Sequence, residues 1–137
     1  EVWSYGEEAY AILSEQLLLR ERLRPYLMEQ MVTAQACGLP PMRPLFVDYP
    51  SDSNAWGVED QFLLGPDVLV APVLEEGARS RRVYLPAGQA WRCAWTDARH
   101  EGGTTIAAEA PLTRIPVYLR AESRLRLRDG AVRAEGS

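Results

Sequence analysis

The sequence predicts an α+β chain, with N-terminal helices and a strand followed by an antiparallel β-sandwich. Three observations predict it. Apolar residues recur at helical steps from Tyr10 to Ala34. Short strand-like runs separated by Gly-containing turns fill the second half. Between them, Asp60 to Gly88 (DQFLLGPDVLVAPVLEEGARSRRVYLPAG) reads as a junction where a helix stops and a β-rich module begins.

The first element spans about residues 6–37. Tyr10, Leu13, Leu17, Leu23, Leu27, Met31 and Ala34 fall at three- and four-residue steps with one slip, and Glu7, Glu8, Glu15, Arg20, Arg22 and Glu29 fill much of the remainder. Pro25 cannot donate to the Glu21 carbonyl, which predicts a kink or a break into two helices. Gly38 fits the residue just past a helix end, and Pro40 and Pro41 prevent continuation.

Met42 to Asp48 (MRPLFVD) suits a strand buried on both faces, as in a parallel sheet. Pro44 moves its effective start to Leu45. After a loop over Tyr49 to Ser53, Asp52 or Ser53 caps a short helix reaching Leu64, which Gly65 and Pro66 end. Helix, strand, helix is the order of α/β folds.

Strands are expected at Val68–Val73, Arg82–Leu85, Ala90–Trp95, Thr104–Ala108, Ile115–Arg120 and Ser123–Arg128. In the last, Arg124, Arg126 and Arg128 alternate with Leu125 and Leu127, the pattern of a half-exposed strand. Beyond Asp129-Gly130 the tail reads as frayed. Residues 1–66 and 67–137 are expected to form two parts.

Composition limits the function classes. With 47% hydrophobic and 25% charged residues, the chain is of ordinary globular type. A 137-residue fold buries roughly 68% of its unfolded surface, enough for one core. The net charge of −4 argues against nucleic acid as a partner, and no run of about 18 apolar residues predicts a membrane span. All 15 basic residues are Arg. Arg79, Arg81 and Arg82 read as a solvated turn and strand start rather than an anion site. The start at Glu1 rather than Met suggests a piece of something longer. Cys37 and Cys93 lack metal-ligand spacing and read as buried thiols of a reducing, cytoplasmic protein. No cofactor or metal is expected.

The segments VWSYGEEA, LRERLRPYLMEQM, GLPPMRPLFVDYPSD, DQFLLGPDVLVAPVLEEGARSRRVYLPAG, WRCAWTDARHEGG and APLTRIPVYLRAES together resemble glycoside hydrolase family 31, the α-glucosidase and α-xylosidase family. The likeness covers about nine tenths of the chain, in the family's order. It implies that residues 1–66 are the terminal helix–strand–helix part of a (β/α)8 barrel and residues 67–137 a proximal C-terminal β-sandwich. It implies a retaining mechanism with two Asp residues, whose carboxyl groups sit about 5–5.5 Å apart. The family's Trp-x-Asp-Met-Asn-Glu segment is absent, so no catalytic residue is assigned. The family's Arg-Ala-Gly-Ser is Arg120-Ala121-Glu122-Ser123 here, so a left-handed turn would strain Glu122.

Under this resemblance Asp48 and Tyr49 end the last barrel strand and face the active-site mouth. They are candidate sugar contacts; loop anchoring and packing beside Pro50 are the structural alternative. Trp3 and Tyr5 are further candidates for a sugar subsite, or else helix packing. Asp52, Glu59, Asp60 and Asp67 match no Ca²⁺ loop and read as surface carboxylates. His100 reads as an exposed loop residue, and Ser4, Ser14 and Ser80 lack a nucleophile-elbow context. Trp91 and Trp95, four apart, would share a strand face in the core.

Two functions are compatible with this reading. One is the C-terminal portion of a retaining α-glycosidase acting on an oligosaccharide, inactive alone, with a helix face that meets the missing barrel or self-associates. The other is a non-catalytic β-sandwich that binds carbohydrate or a partner chain.

Overall fold

The computed structural model describes residues 2–75, 77–111 and 115–127, with side chains from Leu19 onward. Helix α1 runs from Val2 to Cys37 as one unit. The expected break at Pro25 does not occur. Pro25 and Glu21 both lie on the exposed side, where water can reach the freed carbonyl. Leu23 and Tyr26 hold the helix to the sheet on either side of the proline. The expected helix end is present: Gly38 adopts φ +75°, and its N–H donates to the Ala34 carbonyl at 2.7 Å.

The buried parallel strand expected over Met42–Asp48 is absent. Strand β1 covers only Met42–Arg43, and Leu45–Asp48 forms a single helical turn, α2. Pro44 explains the switch, because it has no N–H for a ladder and caps the turn from an extended conformation. The helix expected before Leu64 is also absent. A 3₁₀ turn at Ala55–Gly57 is followed by strand β2, Phe62–Leu64. The apolar run was a hairpin arm: β2 pairs with β3 (Val68–Val70) through Gly65-Pro66-Asp67, with Leu64 opposite Val68.

Strands β4 (Ser80–Leu85), β5 (Ala90–Cys93), β6 (Arg99–Glu101), β7 (Thr104–Glu109) and β8 (Val117–Arg120) follow. They form a six-stranded sheet in the order β1-β2-β3-β8-β5-β6 and a two-stranded sheet of β4 and β7, with every pairing antiparallel. The larger sheet draws β1 and β2 from before the turn at residues 65–67 and its other strands from after it.

Three layers result. On one face of the larger sheet, Val68, Val70, Val117 and Leu119 pack with Leu19, Leu23 and Tyr26 of α1. On the other, Leu63, Leu69, Trp91 and Tyr118 pack with Val83 and Leu85 of β4 and Ala108 of β7. Side chains of successive strand residues point to opposite faces, so the continuously buried Val68-Leu69-Val70 serves both cores. This is a helix followed by antiparallel sheets in sandwich-like packing.

Three further expectations are corrected. Residues 123–127 form no strand: Arg92 donates to the Ser123 and Leu125 carbonyls at 2.8 and 2.7 Å, taking the place of a ladder. Leu125 and Leu127 are nevertheless buried while Arg124 is exposed, so the alternation was real. Trp91 and Trp95 do not share a face, because the chain turns after Cys93; Trp91 joins one core and Trp95 the other. Cys37 is exposed and Cys93 half-buried. Glu122 carries no left-handed strain, as Asp97 is the one non-glycine at positive φ among the described residues. Arg128 and the tail lie outside the described residues.

Candidate functional site

The segment between α1 and β3 carries most of the polar chemistry. Arg43, 6% exposed, forks onto Asp48: Nε donates to Oδ1 at 2.5 Å and Nη2 to Oδ2 at 2.7 Å. Arg43 Nη1 also donates to the Pro40 carbonyl at 3.0 Å. Asp48 thus closes the loop leading out of α1. Tyr49 tilts toward Trp91, 6.2 Å between ring centres, and its hydroxyl accepts from the Gln89 amide. Burial raises the Tyr49 pKa; the Gln89 bond acts in the opposite direction.

Asp52 ties this loop to β4 and the turn after it. Its Oδ2 accepts from the Tyr84 hydroxyl at 2.6 Å and the Ala87 N–H at 2.9 Å, and its Oδ1 from the Asn54 N–H at 3.0 Å. Burial alone would raise its pKa, but these bonds outweigh it and hold the carboxyl below the usual aspartate value. The same contact, added to burial, pushes the Tyr84 pKa up to about 12. Because the folded-state pKa of Asp52 lies below the unfolded one, its stabilisation is complete above about pH 4 and fades as pH falls through the folded value. Asp52→Asn should flatten the acid limb of stability measured by urea unfolding between about pH 2 and pH 5. A limb of unchanged slope would contradict this role.

Gln61, 5% exposed, makes a side-chain pair with the Tyr84 backbone, donating to its carbonyl and accepting from its N–H, both at 2.8 Å. It fills the place of a strand beside β4. Asp60 takes Arg81 at 3.0 Å, and Arg81 also donates to the Pro72 carbonyl at 2.7 Å. Asp67 meets Arg120 at 3.4 Å and Ser123 at 3.2 Å. The Tyr26 hydroxyl donates to the Leu64 carbonyl at 2.7 Å and accepts from the Asp67 N–H at 3.0 Å. Thus α1 grips the β2–β3 turn by one side chain.

The four residues predicted to meet sugar are not brought together by described contacts. Asp48 is engaged by Arg43 and Tyr49 by Gln89. Trp3 and Tyr5 lie in α1, and their side chains are outside the described residues. Asp52, Asp60 and Asp67 each hold a different element rather than forming one cluster. His100 lies in β6, not in a loop, with its ring edge-on to Tyr118 at 5.9 Å. Arg43, Gln61, Tyr26 and Arg120 were not singled out by sequence. Their roles depend on partners up to dozens of residues away, which periodicity does not register.

Residues 38–124 match the sequence profile of the glycosyl hydrolase family 31 C-terminal domain. The chain belongs to glycosyl hydrolase family 31. It is 35% identical over 94% of its length to an α-glucosidase of Bacillus thermoamyloliquefaciens, and 38% identical over 88% to a sulfoquinovosidase of Escherichia coli. Among solved structures, a family 31 α-xylosidase from a soil metagenome, crystallised with xylose, shares 54% identity over 90% of this chain with a TM-score of 0.78. A family 31 dextranase of Flavobacterium johnsoniae, complexed with isomaltotriose, shares 38% identity over 88% with a TM-score of 0.77. The chain spans 16% and 18% of the two curated relatives and 18% and 15% of the two solved chains. Among the described residues no helix is long and apolar enough to cross a membrane.

Proposed function

We propose that this family 31 chain is the C-terminal portion of a retaining α-glycosidase acting on α-linked glucosides or xylosides, and that its own role is mechanical. The catalytic carboxylates, in this reading, belong to barrel strands outside the sequence. Two Asp residues there perform the displacement, one attacking the anomeric carbon and the other protonating the leaving oxygen. The 137 residues fasten a β-domain to the last barrel helix and stiffen the scaffold.

The observation that carries this reading is the two-faced character of α1. Leu19, Leu23 and Tyr26 are buried on the larger sheet, whereas Met28, Met31 and Val32 are 58, 57 and 69% exposed. The stripe predicted for this helix is therefore only partly enclosed by the chain's own strands. The uncovered part has the character of a surface for further barrel structure, and in the isolated chain it favours self-association. The polar groups at the junction support the same role, since Asp48, Asp52, Asp60 and Asp67 are each bonded to a neighbouring element. A reducing, cytoplasmic setting fits the two free thiols.

The pure 137-residue chain should not cleave nitrophenyl α-glucoside or α-xyloside above the buffer rate. Turnover above buffer, retained after repurification, would refute a purely mechanical role. An open reading frame before Glu1 should continue into barrel strands bearing a Trp-x-Asp segment.

A further inference from the structure

The larger sheet ends in β1 and β6, and the smaller sheet consists of β4 and β7 alone. An edge strand carries a row of unpaired N–H and C=O groups on which another extended chain can build. Folds blunt such edges by shortness, charge, proline or a covering group. Three of the edges are blunted here. Strand β1 has two residues, and β6 has three, of which Arg99 and Glu101 are charged. The outer edge of β4 is covered: the Gln61 amide takes both the N–H and the carbonyl of Tyr84, and Arg81 Nε donates to the Arg82 carbonyl. Strand β7 has none of these devices. Its six residues, Thr104 to Glu109, are charged only at the last position and include no proline.

The register fixes which groups this edge offers. In an antiparallel pair, residues that exchange both backbone bonds alternate with residues that exchange none. The Ala110 N–H donates to the Arg79 carbonyl at 2.8 Å, one step beyond the Ser80–Glu109 pair. By alternation Ala108 and Ile106 bond to Arg81 and Val83, and Thr105, Ala107 and Glu109 turn their N–H and C=O away from β4. Tyr84, opposite Thr105, agrees, because its own groups turn outward to Gln61. Among the described residues nothing bonds the outward groups of Thr105, Ala107 or Glu109. Their side chains are exposed, whereas Ile106 and Ala108 pack into the core.

The position and the sequence of this edge identify its partner. The β4–β7 layer packs on the face of the larger sheet opposite α1, so a barrel seated on α1 lies on the other side of the chain. An identical β7 is complementary to the edge. Laid antiparallel and centred on Ala107, it sets Ala107 opposite its own copy and Thr105 opposite Glu109. Every outward group then gains a bond, and no like charges face each other. The two-fold axis passes between the two Ala107 residues, an isologous contact of the kind commonest in homodimers.

We propose that β7 is a dimerisation edge, through which two copies of this chain pair over Thr104–Glu109 and join their two-stranded sheets into one sheet in the order β4-β7-β7-β4. This interface is independent of the glycosidase reading.

The test is amide hydrogen exchange by NMR on the 137-residue chain, from micromolar to millimolar protein, with light scattering on the same samples. The Ile106 and Ala108 amides, bonded to β4, should be protected throughout. Those of Thr105, Ala107 and Glu109 should exchange freely in the dilute monomer and slow about tenfold or more as the dimer forms. Ala107→Pro removes one outward N–H and no bond to β4, a change that an edge strand tolerates. It should weaken dimerisation about tenfold or more, because symmetry loses the bond twice. Ala107→Lys guards against a misfolded proline variant: it sets like charges opposite each other across the axis and should weaken the dimer similarly. A monomer at millimolar concentration would overturn the proposal, as would undiminished dimerisation of folded Ala107→Lys. A dimer whose Thr105, Ala107 and Glu109 amides stay unprotected would also overturn it and move the contact to the exposed face of α1. Protection at every concentration in the longer enzyme would give the edge to a segment of the same polypeptide, with the same consequence. None of these outcomes touches the glycosidase reading, which turnover and the upstream frame decide.

Discussion

Gly65→Ala should be among the most damaging single-methyl changes in this chain. Gly65 sits at φ +63° in the β2–β3 turn, and a Cβ built there runs into the Tyr26 hydroxyl and the Gln30 side chain. The left-handed conformation alone disfavours a residue with a Cβ by roughly 1–2 kcal/mol. Displacing the Tyr26 hydroxyl also leaves the Leu64 carbonyl and the Asp67 N–H without their partner, roughly 1–3 kcal/mol more. Urea unfolding at fixed protein concentration should show a loss of about 2–5 kcal/mol. Tyr26→Phe should show only the second part. In the double variant the losses should not add, since both act on one contact. Strict additivity would show that the Tyr26–Gly65 contact is not what the substitution breaks.

The Arg43–Asp48 fork carries the second large effect. Asp48→Ala leaves a guanidinium that is 6% exposed without its carboxylate. The expected loss is about 3 kcal/mol, the low end for a broken buried pair, because the Asp48 side chain is still 19% exposed. Replacing both, Arg43→Met with Asp48→Leu, should recover much of it, because no buried charge is then left alone. The same pair tests Asp48 as a sugar contact. In the longer enzyme that we propose, Asp48→Asn should lower thermal stability and leave KM unchanged. A raised KM at unchanged stability would support the substrate role.

Much of the fold was legible wherever one local rule acted alone. The end of α1 at Gly38 followed from a glycine before two prolines. Strands β3, β4, β5, β7 and β8 followed from β-branched and aromatic runs between turn residues. The family resemblance was legible because its segments keep their order over most of the chain. The junction was not legible, because its residues answer to distant partners. Phe62-Leu63-Leu64 suits a helix end as well as a hairpin arm, and only pairing with Val68–Val70 decides between them. Leu125 and Leu127 showed the alternation of a strand, yet Arg92 takes the carbonyls that a ladder would have used. The candidate site was hidden for the same reason. Asp52 and Gln61 both meet Tyr84 of β4, and no spacing along the chain brings them together.

By itself the sequence determined a helix with an apolar stripe, a run of short strands and a family. These depend on the periodicity and order of residues, which a linear text preserves. Tertiary structure alone decided that Pro25 does not break the helix, that the Met42–Asp48 run forms a two-residue strand and a helical turn instead of one buried strand, and that Tyr26 locks a turn some forty residues away. Those outcomes turn on which buried polar group finds which partner, and burial exists only once the layers have closed.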